Sequence, residues 1–321
     1  MPFETVFRGM SAILLRSLVV GLVTISGFVP AAWGWGNTGH LVVAQIAYDR
    51  LTPSTRAEAD RLIRVLAGSD PRLADFVTAS VWMDEVRHSG LKTFDSWHYI
   101  NLPINAEGLE SVAPAKTPNV VWAIDQSART LASPEATDFD KAFVLRVLLH
   151  TVGDIHQPLH TVGRFTAALP NGDRGGNDFL LGVEATPNLH WLWDDTVGFY
   201  PKVDPSADWQ PVVSRITREL AATIPQPAAS EVTWYEGAAA DWAREGFRLA
   251  QEVVYDGISE GGRPSEEYRK RAHGEIARRL VLAGNRLAAV LEATLGAGPP
   301  AEPLPVVVPE PPSSAAADPS R

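Results

Sequence analysis

The feature that most constrains the fold is the spacing of apolar residues, which recurs at helical intervals along most of the chain. Val42, Ile46 and Ala47 mark one face of a helix, because residues three and four positions apart share a helical face. The Thr52-Pro53 pair predicts the end of this helix and the start of a second one. Further helical patterns are predicted over residues 73–86, 120–131, 139–155, 212–222, 233–255 and 266–295.

Two segments depart from the helical pattern. Residues 170–178 are rich in Gly, Asn and Asp, which is typical of a loop, and residues 179–183 predict a strand of a small hairpin. Pro, Ala and Ser dominate residues 297–321, which predicts a disordered tail. The expected fold class is therefore all-α, with a single mostly helical domain over 35–296 that contains a small β-hairpin.

The amino-terminal residues have the layout of a secretory signal peptide over 1–34. Arg8 and Arg16 precede a short apolar run, which ends in small residues up to Gly34. Cleavage after Gly34 would make Trp35 the first residue of a secreted or periplasmic protein. An uncleaved membrane anchor is the alternative, which the shortness of the run disfavours. No stable membrane insertion is expected after cleavage.

Composition limits how the chain could bind phosphate-rich partners. The formal net charge is −10, and it becomes −11 without the signal peptide, which argues against binding through a broad basic surface. The chain has no Cys, so a transition-metal site must use His, Asp, Glu or backbone atoms. Any phosphate binding and chemistry must therefore depend on positive charge that is concentrated at one site.

Two His/Asp pairs repeat the same four-residue spacing. His150 and Asp154 lie on one predicted helix, and His190 and Asp194 lie on a second, short one. Residues four apart on a helix face the same side, so each pair can bind one ion. Nitrogen and carboxylate ligands without thiolate favour Zn²⁺, with manganese and iron left open. The sequence thus predicts two metal-binding faces.

These pairs belong to a larger ordered set of motifs. The motifs are Trp-Gly-Asn-Thr-Gly-His from Trp35, Trp-Met-Asp-Glu-Val-Arg from Trp82, Trp-His-Tyr from Trp97, His-Thr-Val-Gly-Asp from His150, Gln-Pro-Leu-His from Gln157, Gly-Gly-Asn from Gly175, Asn-Leu-His from Asn188 and Trp-Asp from Trp193. This ordered set resembles the S1/P1 nuclease family over about residues 35–195. The resemblance implies a phospholipase C/P1 nuclease-like fold and makes residues 35–296 a catalytic domain.

The resemblance implies three zinc ions, which would place six positive charges in one spot of an acidic chain. The third ion would use the free amino group and carbonyl oxygen of Trp35. An α-amino group has a pKa of about 7.7 to 8.0, so it deprotonates readily for metal binding, whereas a peptide nitrogen does not. The implied ligands are Asp84, His98, His150 and Asp154 for the first ion, His160, His190 and Asp194 for the second, and Trp35, His40 and Asp154 for the third.

Three further residues take roles from the resemblance. Arg87, about one helical turn after Asp84, would pair with the phosphate, and its alternative is a surface arginine. Asn177 would support the attacking water and Asp84, and its alternative is a turn residue. Tyr99 would stack on a nucleobase, and its alternative is core packing. His156 lies outside the implied ligand positions and receives no metal.

The expected function is hydrolysis of phosphodiester bonds in single-stranded DNA and RNA, with 5′-phosphate products and 3′-nucleotidase activity. Close ions would lower the pKa of the water that attacks phosphorus. Nucleic acid or nucleotide is the expected partner, and no protein partner is implied. A zinc phospholipase C is the main alternative, but Thr151 and Gly163 replace the Tyr and Asn of its signature. A non-enzymatic zinc protein is disfavoured because the implied coordination shells stay open.

Overall fold

The computed structural model describes residues 35–296, so the predicted signal peptide and tail lie outside the described residues. These residues form ten α-helices and four short strands, which confirms the mostly helical fold. The helices are α1 (Asn37–Arg50), α2 (Pro53–Val65), α3 (Trp82–His88), α4 (Val120–Ala132), α5 (Asp138–Asp154), α6 (Leu189–Asp194), α7 (Gln210–Thr223), α8 (Ala229–Val232), α9 (Ala238–Leu249) and α10 (Glu266–Leu295). The strands are β1 (Leu102–Asn105), β2 (Val162–Phe165), β3 (Leu180–Val183) and β4 (Thr186–Asn188).

Helix α5 is the central helix, and it contacts α1, α2, α3, α4 and α10. A capping box starts it: the Thr137 hydroxyl accepts from the Asp140 amide at 3.2 Å, and Asp140 Oδ2 accepts from the Thr137 amide at 3.0 Å. Every residue from Leu145 to Asp154 is buried. The carboxyl-terminal part of α5, which carries His150, therefore lies inside the protein.

Helix α10 packs along α1 and also contacts α2, α4, α5, α7 and α8. The Ser265 hydroxyl caps its start by accepting from the Tyr268 amide at 3.0 Å. A Cβ at Gly284 would lie 2.5 Å from Ile46 Cγ2, so glycine permits the close approach of α10 and α1. Across residues 35–296, none of the helices combines the length and the apolarity that a membrane span needs.

Two pairs of short strands adjoin segments that carry predicted site residues. Strands β1 and β2 pair in parallel with Leu102 opposite Val162, and the Ile100 amide donates to the His160 carbonyl at 2.8 Å. This pair was not predicted, because neither four-residue segment shows a clear alternation of apolar and polar residues. Strands β3 and β4 form an antiparallel hairpin, which confirms the prediction for residues 179–183.

The helix predicted over residues 73–86 is interrupted. Asp75 adopts an extended conformation (φ −107°, ψ 133°), and its carboxylate accepts from the Thr78 amide at 2.9 Å. This local hydrogen bond competes with helical hydrogen bonding. Only α3 is α-helical here, and two 3₁₀ turns precede it.

The helix predicted over residues 233–255 is also shorter than expected. Gly237 has φ 95°, a left-handed conformation that ends any helix upstream, so α9 begins at Ala238. The carboxyl-terminal part, Ala250–Val254, winds as a π-helical turn rather than an α-helix. Apolar periodicity alone does not reveal either departure.

An ionic network of two buried arginines and the partly buried Glu245 joins α9, α10 and the segment after α5. Glu245 accepts from Arg286 Nη1 and Nη2, both at 2.7 Å, and from Arg279 Nη1 at 2.9 Å. Arg286 Nη1 also donates to His156 Nε2 at 3.0 Å, and Arg279 Nε donates to the His156 carbonyl at 3.1 Å. Burial, with the charges of the two arginines, holds the pKa of His156 well below 6.5. His156 is thus a neutral member of this network.

Glu245→Gln is expected to lower the free energy of unfolding by about 2–4 kcal/mol at neutral pH, because it leaves two buried arginines without their carboxylate. Burial alone would raise the pKa of Glu245, but hydrogen bonds and charges from Arg286 and Arg279 hold it below 4.5. A depressed folded-state pKa gives stability that is complete above pH 4.5 and is lost as pH falls through the lower value. Urea unfolding across this pH range measures the effect, and a wild-type to variant difference that does not shrink in acid would contradict it.

Candidate metal centre

Eight His and Asp side chains from separate parts of the chain meet in one buried centre, and none is more than 6% exposed. They are the eight side chains that the family resemblance implies as ligands. The five-residue cluster consists of His40 on α1, Asp84 on α3, His98, and His150 and Asp154 on α5. The three-residue cluster consists of His160 and of His190 and Asp194 on α6.

Asp154 lies in the middle of the five-residue cluster. Its Oδ2 is 3.0 Å from His98 Nδ1 and 3.2 Å from His150 Nε2, and these two nitrogens are 3.1 Å apart. Its Oδ1 is 3.3 Å from His40 Nε2. Asp84 Oδ1 completes the cluster at 3.8 Å from His98 Nδ1 and 3.7 Å from His150 Nε2. The two oxygens of Asp154 therefore face different nitrogens, as a carboxylate that bridges two ions must.

The three-residue cluster adjoins the first. His190 Nε2 is 3.1 Å from His160 Nε2 and 3.3 Å from Asp194 Oδ2. Asp194 Oδ1 accepts a hydrogen bond from Gln157 Nε2 at 2.7 Å, a contact to which the sequence gave no role. His160 Nδ1 lies 3.8 Å from Asp154 Oδ1, so the two clusters form one continuous centre.

Backbone carbonyls fix the orientation of three imidazoles. A proton on Nδ1 that is donated to a carbonyl leaves Nε2 free of a proton and directed at the cluster, as metal ligation requires. One of these carbonyls belongs to Gly175, and only glycine fits at this position. A Cβ there (φ 63°) would lie 2.2 Å from the Leu159 carbonyl oxygen. The contacts join His150 to the Ser80 carbonyl at 2.7 Å, His160 to the His98 carbonyl at 2.6 Å and His190 to the Gly175 carbonyl at 2.5 Å.

Several buried polar atoms in this centre lack a hydrogen-bond partner within the described residues. They include both oxygens of Asp84, Oδ1 of Asp154, Oδ2 of Asp194 and both ring nitrogens of His40. Burial of such atoms is unfavourable unless something binds them. Two nitrogens on one tetrahedral zinc ion would lie about 3.3 Å apart, close to the two 3.1 Å separations observed. The residues therefore fit metal ions.

Three groups of these side chains could each hold an ion, and two of the groups share His150. His40 groups with Asp84 and His150 in this geometry, whereas the family resemblance implies that it shares an ion with Asp154 and Trp35. The geometry also permits the pairing of His40 with Asp154, since Asp154 Oδ1 lies 3.3 Å from His40 Nε2. The groups are His40-Asp84-His150, His98-His150-Asp154 and His160-His190-Asp194.

The charges in the centre favour a bound cation. Burial alone would lower the pKa of His150, but the carboxylates of Asp154 and Asp84 raise it to about 9. Burial raises the pKa of Asp194 well above 3.8, and the charges of Asp154 and Asp84 add to the rise. Without a bound ion, His150 and Asp194 therefore hold their protons to a higher pH than usual, and metal binding would release those protons.

Two motif glycines permit close packing, Gly153 against His40 and Gly39 against Trp35. A Cβ at Gly153 would lie 2.8 Å from His40 Nδ1, and a Cβ at Gly39 would lie 2.5 Å from Trp35 Cβ. The sequence assigned no role to either glycine. The available signal was a glycine inside a helical pattern, which indicates close approach of another group.

Gly153→Ala is expected to destabilise the fold by about 1–3 kcal/mol and to weaken metal binding, because the new methyl group must displace the His40 ring. The matched control is Gly274→Ala on α10, where a Cβ would meet no atom within 4 Å. That control should gain up to about 1 kcal/mol from helix propensity. Melting temperature and metal content of both variants check this, and equal melting temperatures would contradict it.

A cavity of about 190 Å³ borders the centre, and it holds the three non-ligand residues singled out in the sequence. Arg87 is 17% exposed, with Nε 3.3 Å from Asp95 Oδ1. Tyr99 is half-buried and lines the cavity. Asn177 donates from Nδ2 to the Arg174 carbonyl at 2.8 Å, and its Oδ1 has no hydrogen-bond partner within the described residues.

Comparisons with known proteins cover the whole described region. The family profile described as S1/P1 Nuclease matches residues 35–296. Endonuclease 4 of Arabidopsis thaliana is 25% identical over 306 residues, which cover 89% of this chain and 97% of that protein. Endonuclease 2 of the same plant is 26% identical over 285 residues, or 83% and 92%. Nuclease S1 of Aspergillus oryzae is 24% identical over 184 residues, or 56% and 59%. The family match thus extends beyond the motifs to α7–α10.

Proposed function

The chain belongs to the S1/P1 nuclease family and hydrolyses phosphodiester bonds, and we propose that it is a zinc-dependent endonuclease for single-stranded DNA and RNA. The products carry 5′-phosphate ends, and the enzyme also acts as a 3′-nucleotidase. Residues 35–296 form the catalytic domain of a secreted or periplasmic protein. The observation that supports this most is the buried centre of His and Asp side chains beside an open cavity.

We propose that the centre holds three Zn²⁺ ions. The opposed contacts of the two Asp154 oxygens support a bridging role for this carboxylate. The ligands are Asp84, His98, His150 and Asp154 for the first ion, His160, His190 and Asp194 for the second, and His40, Asp154 and the amino nitrogen and carbonyl oxygen of Trp35 for the third. The third set requires removal of the signal peptide.

The bound ions would lower the pKa of a water molecule and stabilise charge on the phosphate. The residues of the cavity wall bind the substrate and position the attacking water. Arg87, steadied by Asp95, pairs its guanidinium with the scissile phosphate. Asn177 offers its Oδ1 as an acceptor for the attacking water. Tyr99 stacks on an unpaired nucleobase, which selects single strands whose bases can be splayed out.

Parallel assays on heat-denatured DNA and phosphatidylcholine vesicles test this function. We expect the protein to release soluble nucleotides with 5′-phosphate ends from the DNA, to lose activity on chelation and to regain it with Zn²⁺. Hydrolysis of the lipid alone would overturn the nuclease proposal in favour of a phospholipase C. Undiminished DNA cleavage after exhaustive chelation would overturn the metal assignment.

A further inference from the structure

We propose that Arg174 binds the phosphate group next to the scissile one and so makes the enzyme prefer polynucleotides to substrates with a single phosphate. The inference rests on the proposed nuclease function and adds a specificity-determining residue to it. It follows from the shape of the cleft, from the backbone conformation of Arg174 and from the charge of the cleft walls.

The cavity beside the metal centre has a second cavity next to it, and the two share lining residues. The first measures about 190 Å³ and the second about 420 Å³, and both are lined by Tyr99, Asn101 and Arg174. Ligand sites usually measure about 300–1,000 Å³. The first cavity alone therefore suits only the part of a substrate around the scissile phosphate, and an adjoining nucleotide would occupy the second. Arg174 stands where the two cavities meet.

The backbone holds Arg174 at this junction in an unfavourable conformation. Its φ is 55°, which is uncommon for a residue other than glycine. Both neighbours are anchored: the buried Asp173 carboxylate accepts from the Tyr255 hydroxyl at 2.6 Å, and the Gly175 carbonyl accepts from His190 Nδ1 at 2.5 Å. Such strain persists only where the surroundings fix it, and it concentrates at functional sites. One of the two anchors is thus His190, a residue of the metal centre itself.

The charge of the cleft walls suits a second phosphate. The whole chain carries a net charge of −10, yet no Asp or Glu is among the described residues that line either cavity. Arg174 and the exposed Lys116 both line the larger cavity. These two side chains give that part of the cleft a positive charge, which attracts phosphate.

The Arg174 side chain can exchange its present partner for phosphate. It is 63% exposed and lies 3.6 Å from Asp178 Oδ1. An exposed pair of this kind contributes little to stability, whereas a guanidinium binds a phosphate through two parallel hydrogen bonds. Substrate binding would therefore replace a weak contact with a stronger one.

The test compares two substrates that differ in phosphate number, a single-stranded dodecanucleotide and a dinucleoside monophosphate. Arg174→Gln in the otherwise intact protein should lower kcat/KM for the dodecanucleotide about tenfold more than for the dinucleoside monophosphate, as expected for one lost charged hydrogen bond. The dependence of log kcat/KM on log salt for the longer substrate should become shallower by about one unit. Arg215→Gln makes the same charge change on an exposed face of α7. It should lower kcat/KM for both substrates by the same small factor.

A second variant separates the guanidinium from the backbone. Arg174→Gly keeps the left-handed conformation accessible and should reproduce the selectivity change of Arg174→Gln. Equal losses on both substrates in the Gln variant, or wild-type selectivity in the Gly variant, would overturn the proposal while leaving the nuclease function intact. A wild-type protein that cleaves neither substrate would overturn both.

Discussion

Asp154→Asn is expected to lower phosphodiester turnover by about 10³-fold or more, because metal ions supply several kcal/mol of transition-state stabilisation. Asp154 contacts His98 and His150 through one oxygen and His40 through the other. An amide keeps the shape but loses the negative charge and one of the two ligand oxygens. Both ions that share this carboxylate should bind more weakly, so a single substitution should remove more than one equivalent of metal.

Metal content by mass spectrometry and turnover on denatured DNA measure the two effects on the same preparation. Circular dichroism checks that the variant is folded. Asp208→Asn, which removes an exposed carboxylate from a loop, is the matched control and should keep both its metal and its turnover. Near-normal turnover in the Asp154 variant would contradict a bridging role, and a loss of turnover with full metal content would assign the residue a different role.

The sequence predicted the parts of this centre that lie on regular helices. His150 and Asp154 share one face of α5, and His190 and Asp194 share one face of α6, because four residues make about one helical turn. Apolar spacing also predicted most helices, and the strand signal after the Gly-rich loop predicted the hairpin. These features are local, and a local pattern is visible in a single chain.

Other parts of the centre depend on contacts between distant segments. His98 lies in a 3₁₀ turn with no helical periodicity, so only its motif pointed to it. The contact of Gln157 with Asp194 joins residues 37 positions apart. The parallel pairing of β1 with β2 sets the His98 and His160 segments side by side, yet neither strand has a distinct pattern. Long-range placement of this kind follows from packing, which periodicity does not encode.

The cleft beyond the metals was the least predictable part. Its walls come from loops, whose path depends on individual anchors such as the hydrogen bond between Asp173 and Tyr255. The sequence indicated only that residues 170–178, rich in Gly, Asn and Asp, form a loop. The structure adds the position of Arg174 within that loop, and substrate selectivity would depend on this residue.

A protein that keeps one extra residue ahead of Trp35 is expected to lose the third ion and to lose activity by about 10²-fold or more, the scale of effect seen when one electrostatic stabiliser is removed from an active site. The extra peptide bond converts an amine, which can bind metal, into an amide nitrogen, which cannot. Trp35 is fully buried, and the next residue is fixed because the Gly36 amide donates to the Asp194 carbonyl at 3.0 Å. The chain has little freedom here to move an added residue aside.

The experiment compares a protein that begins at Trp35 with one that carries a single preceding residue, with both amino termini verified by mass spectrometry. Removal of the extra residue from the second protein by an aminopeptidase should restore the third ion and the activity together, which serves as the internal control. Full activity in the extended protein would contradict a role for the amino group. It would leave the His and Asp ligands unaffected, because their convergence around Asp154 does not depend on where the chain begins.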